Sequence, residues 1–207
     1  MIKKFGLYMK YDKLYSLAKG ISFYDFLTKS DSLTSVYNIL YRGYESNGLE
    51  DNVFMTDYIG HARQYGDKVN GIIYNETDVL YFNDDVFNEL RKHCRLFDKN
   101  NIKKIYNKFF ESVKLFNAMD GKFHTENKVI NFVYNFLKSE KPYSEISKTK
   151  TNDLLVPIMM YYSEKNQKNI ISFLGGDYIE YGGAYEYVVN DISRYTTLKQ
   201  IWEETNT

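Results

Sequence analysis

The stretch from residue 84 to 164 most constrains what this chain can fold into. Four segments in it, 86–96, 102–118, 126–137 and 153–162, place apolar residues at i, i+3 and i+4, which predicts amphipathic helices. Phe109, Val113 and Phe116, for example, fall on one face. The polar joints 98–101, 119–121 and 139–151 separate these helices. Strand-like runs flank the block: 36–43, 69–74 and 79–82 before it, and 169–174, 178–181 and 185–189 after it. Strands, then helices, then strands predict an α+β fold carrying a helical insertion at about 84–164. Residues 1–35 add an N-terminal helical layer, with Leu14, Leu17 and Ala18 on one face and Ile21 continuing it. A second short helix is expected over 23–27, and Ser30-Asp31-Ser32 reads as a break and N-cap signal.

At 207 residues the chain suits a single domain, 1–207, that includes the insertion. A chain of this length buries about 70% of its extended-state surface. The 27 Lys and Arg residues balance 27 Asp and Glu, so no general pull toward nucleic acid or membrane is expected, although a local basic patch is compatible with that balance. Cys94 is the only cysteine; it rules out an internal disulfide and fits a reducing compartment. Neither a signal peptide nor an 18-residue apolar run is present in the sequence, so a soluble, cytoplasmic protein with no membrane partner is expected.

Three positions carry chemistry. Arg42 closes the first strand run, and a guanidinium there must stay wet, meet an anion or pair with an internal carboxylate. It has the geometry to bind a phosphate or carboxylate through two parallel bonds. Gly43, next to it, allows close approach to the backbone. Thr56, with Asp57, is placed to cap a helix carrying Ile59, Ala62 and Tyr65. His61 and Arg63 read as helix-surface residues, and no metal ligand spacing surrounds His61. The runs 69–74 and 79–82 suggest a β-hairpin. Glu186 lies in the last run, after Gly182-Gly183.

In order, Tyr41-Arg42-Gly43, then Phe54-Met55-Thr56 running into Ala62-Arg63-Gln64-Tyr65-Gly66, then Glu186-Tyr187-Val188-Val189, resemble the ADP-ribosyltransferase family. The likeness is to its arginine–serine/threonine–glutamate branch, found in bacterial toxins and phage effectors. It covers roughly residues 36–83 and 169–195. The resemblance implies a split, strongly bent β-sandwich that grips NAD as substrate, here with N-terminal helices and the helical insertion. It implies an NAD-dependent mono-ADP-ribosyltransferase, a glycosyltransferase acting on a macromolecular acceptor, either a bacterial or host protein or a nucleic acid. It would act in the cytoplasm, that of the host if phage-encoded. Arg42 would hold the dinucleotide phosphates or the nicotinamide ribose, Gly43 would offer its backbone to the carboxamide, and Thr56 would hydrogen-bond near the nicotinamide ribose and help position the glutamate. Glu186 would be the catalytic carboxylate. Phe54, Tyr58, Tyr65, Tyr74 and Tyr81 are the aromatic candidates for the NAD site, and no metal is implied. Ala184 stands where arginine-modifying members carry an acid, and Thr56 alone replaces a triplet of hydroxyl residues. Glu180 is a second nearby acid or a solvated strand residue.

Two other functions fit the same residues. One is a catalytically inactive relative that binds or inhibits a protein through the aromatic-rich helical insertion. The other is a small nuclease using His61, His93 and His124, which are scattered over different segments.

Overall fold

A computed structural model of the chain describes residues 10–34, 36–44, 53–109, 125–146, 152–174 and 185–207. The expected loop 45–52, the far half of the helix 102–118, the extended run 178–181, His124, Glu180 and Ala184 lie outside these residues. The fold is α+β, and the chain forms two compact units, residues 1–50, 55–76 and 192–207 in the first and 51–54 and 77–191 in the second.

In the first unit, β1 (Ile39–Tyr44) pairs antiparallel with β3 (Lys68–Ile73) on one side and, at Tyr41, with Thr56 at the end of β2 (Val53–Thr56) on the other. The two-residue strand β7 (Thr196–Thr197) pairs with the far edge of β3. Alternation along β1 sends Ile39 and Tyr41 into a core with Leu14, Ala18, Phe26 and Ile201. Those partners come from α1 (Asp12–Ala18), α2 (Phe23–Ser30) and α9 (Leu198–Asn206). Ser22 caps α2 by accepting from the Asp25 amide at 3.1 Å. A capping box of Thr197 and Gln200 starts α9. The helix it starts carries Trp202.

Two glycines let a short helical segment lie directly on β1. This is α3 (Ile59–Ala62) with the 3-10 turn Arg63–Tyr65. A Cβ on Gly43 would sit 1.8 Å from the Ala62 carbonyl oxygen, and one on Gly66 would sit 2.4 Å from the Tyr44 backbone. Arg42 and Gly43 are therefore interior to β1 and not at its end, because β3 continues to pair as far as Lys68.

In the second unit, β5 (Ile170–Leu174) is central, parallel to β4 (Val79–Tyr81) and antiparallel to β6 (Tyr185–Val189). The expected hairpin of 69–74 with 79–82 does not form. After the 3-10 turn Glu76–Asp78 the chain enters the second unit, where Val79 pairs with Ile170 and β3 has its partners elsewhere. Helices α4 (Asp84–His93), α5 (Lys99–Lys108), α6 (Glu126–Lys138) and α8 (Val156–Lys165) follow the helical periodicity, and a short helix α7 (Tyr143–Ile146) forms within the expected polar joint 139–151. They share one core with Ile171, Phe173 and Val188, so they cover the strands instead of forming a separate appendage. Phe87 anchors that core, stacked on Tyr143 at 4.2 Å and edge-on to Phe136 at 5.4 Å. Asn83 caps α4, and a capping box of Asp98 and Asn101 starts α5. No described helix is long and apolar enough to cross a membrane.

Candidate functional site

The predicted site residues divide between the two units. Arg42, Gly43, Thr56, Tyr58, Tyr65 and Tyr74 belong to the first; Phe54, Tyr81 and Glu186 belong to the second.

On β1, Arg42 is half-buried and lies opposite Asn70 of β3. Strand alternation puts it with Leu40 on the face turned away from the Ile39–Tyr41 core. Asn70 was not singled out from the sequence, although an amide between Val69 and Gly71 in an apolar run was a signal for it. Its side-chain oxygen accepts from the Lys199 amide at 3.3 Å and from the Gly71 amide at 2.8 Å. These bonds fasten β3 to the start of α9. The close approach at Gly43 is made by the chain's own Ala62 carbonyl, which gives that glycine a packing reason independent of any ligand.

Thr56 is the last residue of β2, paired with Tyr41, and it is buried. Paired residues of an antiparallel ladder share a face, so Thr56 belongs with Tyr41, and Arg42 belongs to the opposite face. Thr56 does not cap α3. Tyr58 occupies the N-cap position without a side-chain bond, while the Thr56 hydroxyl accepts from the Tyr58 amide at 3.3 Å. Thr56 thus fixes the turn that presents Tyr58. That ring is 59% exposed and lies over Gly60, where a Cβ would come within 2.6 Å of it. The Tyr41 hydroxyl lies 3.3 Å from Ser30 Oγ, and burial raises its pKa, so it stays neutral.

The structure separates the aromatic candidates. Phe54 packs edge-on against Phe173 at 6.5 Å and 87°. The Tyr65 hydroxyl lies 3.1 Å from His61 Nε2. Tyr74 is half-buried beyond β3, its amide bonded to the Asn38 carbonyl. Tyr81 ends β4, is 39% exposed and pairs with Ser172.

On β6, Glu186 is half-buried and lies directly opposite Phe173. The pairing puts its side chain on the face where Phe173, Ile171 and Val188 meet the helices. Phe173 is thus the ladder partner of Glu186 and the ring that Phe54 meets edge-on, whereas the sequence marks it only as part of the strand run 169–174. A half-buried carboxylate next to an apolar ladder partner stands in a medium that strengthens its interaction with any cation.

Of the three histidines, His61 and His93 lie in different units and His124 is outside the described residues. Among the described residues no cluster of three or more His, Cys, Asp or Glu could hold a metal ion. Burial pushes the Cys94 thiol up to about 12, which makes it a packing residue. No protein-family model, curated protein or solved structure matches the chain.

Proposed function

We propose that the chain is an NAD-dependent mono-ADP-ribosyltransferase that moves ADP-ribose from NAD to a macromolecular acceptor, protein or nucleic acid. The observation that carries this is Glu186, a half-buried acid on a strand, held opposite Phe173, a ring that Phe54 meets edge-on. Breaking the bond between nicotinamide nitrogen and ribose C1′ leaves the electron pair on nicotinamide and positive charge on the ribose. The acceptor's nucleophile then bonds to C1′ and loses its proton. Glu186 accepts a hydrogen bond from a ribose hydroxyl and stabilises the charged ribose. The fixed acid needs no reorganisation at that moment.

Arg42, on the first unit, is a permanent cation, the kind of group that the resemblance assigns to the dinucleotide phosphates. Within the same first unit, Thr56 is a positioning residue for the Tyr58 turn, and Tyr58 is an exposed aromatic residue. The order of Arg42, Thr56 and Glu186 along the chain, each on a β-strand, is a further support.

The test is incubation with NAD labelled in the adenylate part, together with cell lysate. The expected result is label covalently attached to a macromolecule and stable to denaturation. Stable capture of a lysate protein in the absence of NAD, with no transfer of label, would instead establish the binding-protein alternative.

A further inference from the structure

The whole chain is electrically balanced, but one segment of the second unit is not. Residues 91–108 hold seven Lys and Arg against the single carboxylate of Asp98. That carboxylate is engaged in the capping box of α5, accepting from the Asn101 amide at 2.9 Å. Of the neighbouring carboxylates, Glu89 pairs with Lys92, Glu126 with Lys103 and Glu164 with Lys108, while Glu140 is an exposed acid two residues from Lys138. Among the described residues this leaves Arg95, Lys99, Lys104, Lys138 and Lys165 exposed and outside any ion pair.

Rings are interleaved with these cations. His93 lies 6.0 Å from Tyr161 and 5.9 Å from Tyr162, and Phe97 lies 5.7 Å from Tyr161. The Lys165 ammonium stands over the Tyr161 ring at 5.7 Å. Further along, Lys99 and Lys138 both stand over Tyr134, at 5.5 and 5.6 Å, and the Lys138 ammonium bonds to the Arg95 carbonyl at 2.6 Å. Contacts therefore run from the C-terminal end of α8, across the end of α4, to α6 and the start of α5. Leu96, in the middle, is 92% exposed.

We infer that this strip is a binding surface for single-stranded nucleic acid. Unpaired lysines and an arginine meet the phosphates, and half-buried rings among them offer faces on which bases stack. An acidic protein would satisfy the cations without needing the rings. An anionic membrane would meet the cations but would favour an apolar face with more than the single exposed Leu96. The surface stands on second-unit residues alone and does not depend on the NAD chemistry.

The test uses the full chain and fluorescently labelled single-stranded RNA and DNA of about 20 nucleotides, a length that covers more than one stacking site. Anisotropy is followed as salt is raised. With five phosphate contacts, affinity should fall about 100-fold between 50 and 200 mM salt. The double reversal Lys99→Glu, Lys138→Glu should weaken binding at least as far. Tyr161→Ala should weaken it about tenfold by removing a stacking face. Lys10→Glu, on the first unit, should leave it unchanged. Thermal melting identifies any variant that fails to fold, and Tyr161→Leu, which keeps part of the apolar bulk without the ring, then replaces Tyr161→Ala. Tighter binding of either RNA or DNA supports the surface and sets its preference. Failure to bind either strand at 50 mM salt overturns it. So does binding unaffected by the Lys99→Glu, Lys138→Glu reversal, or equal affinity for polyglutamate or phosphatidylserine vesicles.

Discussion

The first unit brings backbones together, whereas the second fills volume with side chains. In the first, Gly43 and Gly66 let a short helical segment lie against β1 at distances where a methyl group would collide with a carbonyl. In the second, five helices close on β5 and β6 through Phe87, Phe136, Tyr143, Met159 and Phe173, all of them buried. The two therefore fail in opposite ways, one when an atom is added and the other when atoms are removed. Their polar residues differ too. The first unit holds the candidate phosphate-binding Arg42 on a sheet face, and the second holds the carboxylate Glu186 and the basic, ring-studded helix ends.

Each unit has its own probe. Trp202 is the only tryptophan; its indole donates to the Ile21 carbonyl at 2.8 Å within the first unit. The longer helices are mostly in the second unit, so far-UV circular dichroism weights that one. The largest effect is expected from Phe87→Ala. It removes a ring from a close-packed aromatic cluster and should cost about 3–5 kcal/mol. The helical signal should melt earlier, and Trp202 fluorescence should change less. Equal shifts in both probes would show that the two units unfold as one.

Gly43→Ala comes next, at about 1–3 kcal/mol from overpacking against a backbone that has no rotamer to yield. Here Trp202 fluorescence should carry the larger shift. An unchanged midpoint would mean that the Ala62 carbonyl moves aside freely.

The smallest effect concerns Asp84, at the start of α4. The Ser144 amide, donating at 2.9 Å, holds its carboxyl below the usual carboxylate range, and Arg91 adds to this. A lowered folded-state pKa gives stability that is fully present above the unfolded value of about 4 and is lost as pH falls through the folded value. The group is partly exposed and screened, so Asp84→Asn should cost about 0.5 kcal/mol at neutral pH. The gap between variant and wild type should close under acid. A gap that widens as pH falls would contradict this assignment.

Local signals in the sequence were read well where one segment decides its own conformation. The periodicity over 126–137 predicts the observed helix Glu126–Lys138, and the run 185–189 is the strand Tyr185–Val189. What local signals could not carry was strand partnership. Two apolar runs joined by a few polar residues resemble a hairpin, yet Val79 pairs with Ile170, a choice made by distant hydrophobic burial. Thr56 shows the same limit on a smaller scale. Its hydroxyl fits a helix cap in sequence, but the helix begins two residues later and the hydroxyl holds the turn instead. Gly43 invited a ligand-based explanation because the Ala62 carbonyl nineteen residues on is invisible to any short window. The half-buried state of Glu186 was likewise unreadable, since it depends on Phe173 across the ladder.

The chemistry assigned to Glu186 is tested most directly by nicotinamide release from NAD, compared between wild type and Glu186→Gln, with melting curves to show that both are folded. The substitution keeps the shape and removes the charge. The wild-type chain should release nicotinamide, and the variant should be slower by about 10²–10³, the cost of losing a preorganised electrostatic partner. Equal release by the two folded proteins, or none by the wild type with any acceptor from lysate, would contradict the assignment of ADP-ribosyl transfer to this chain.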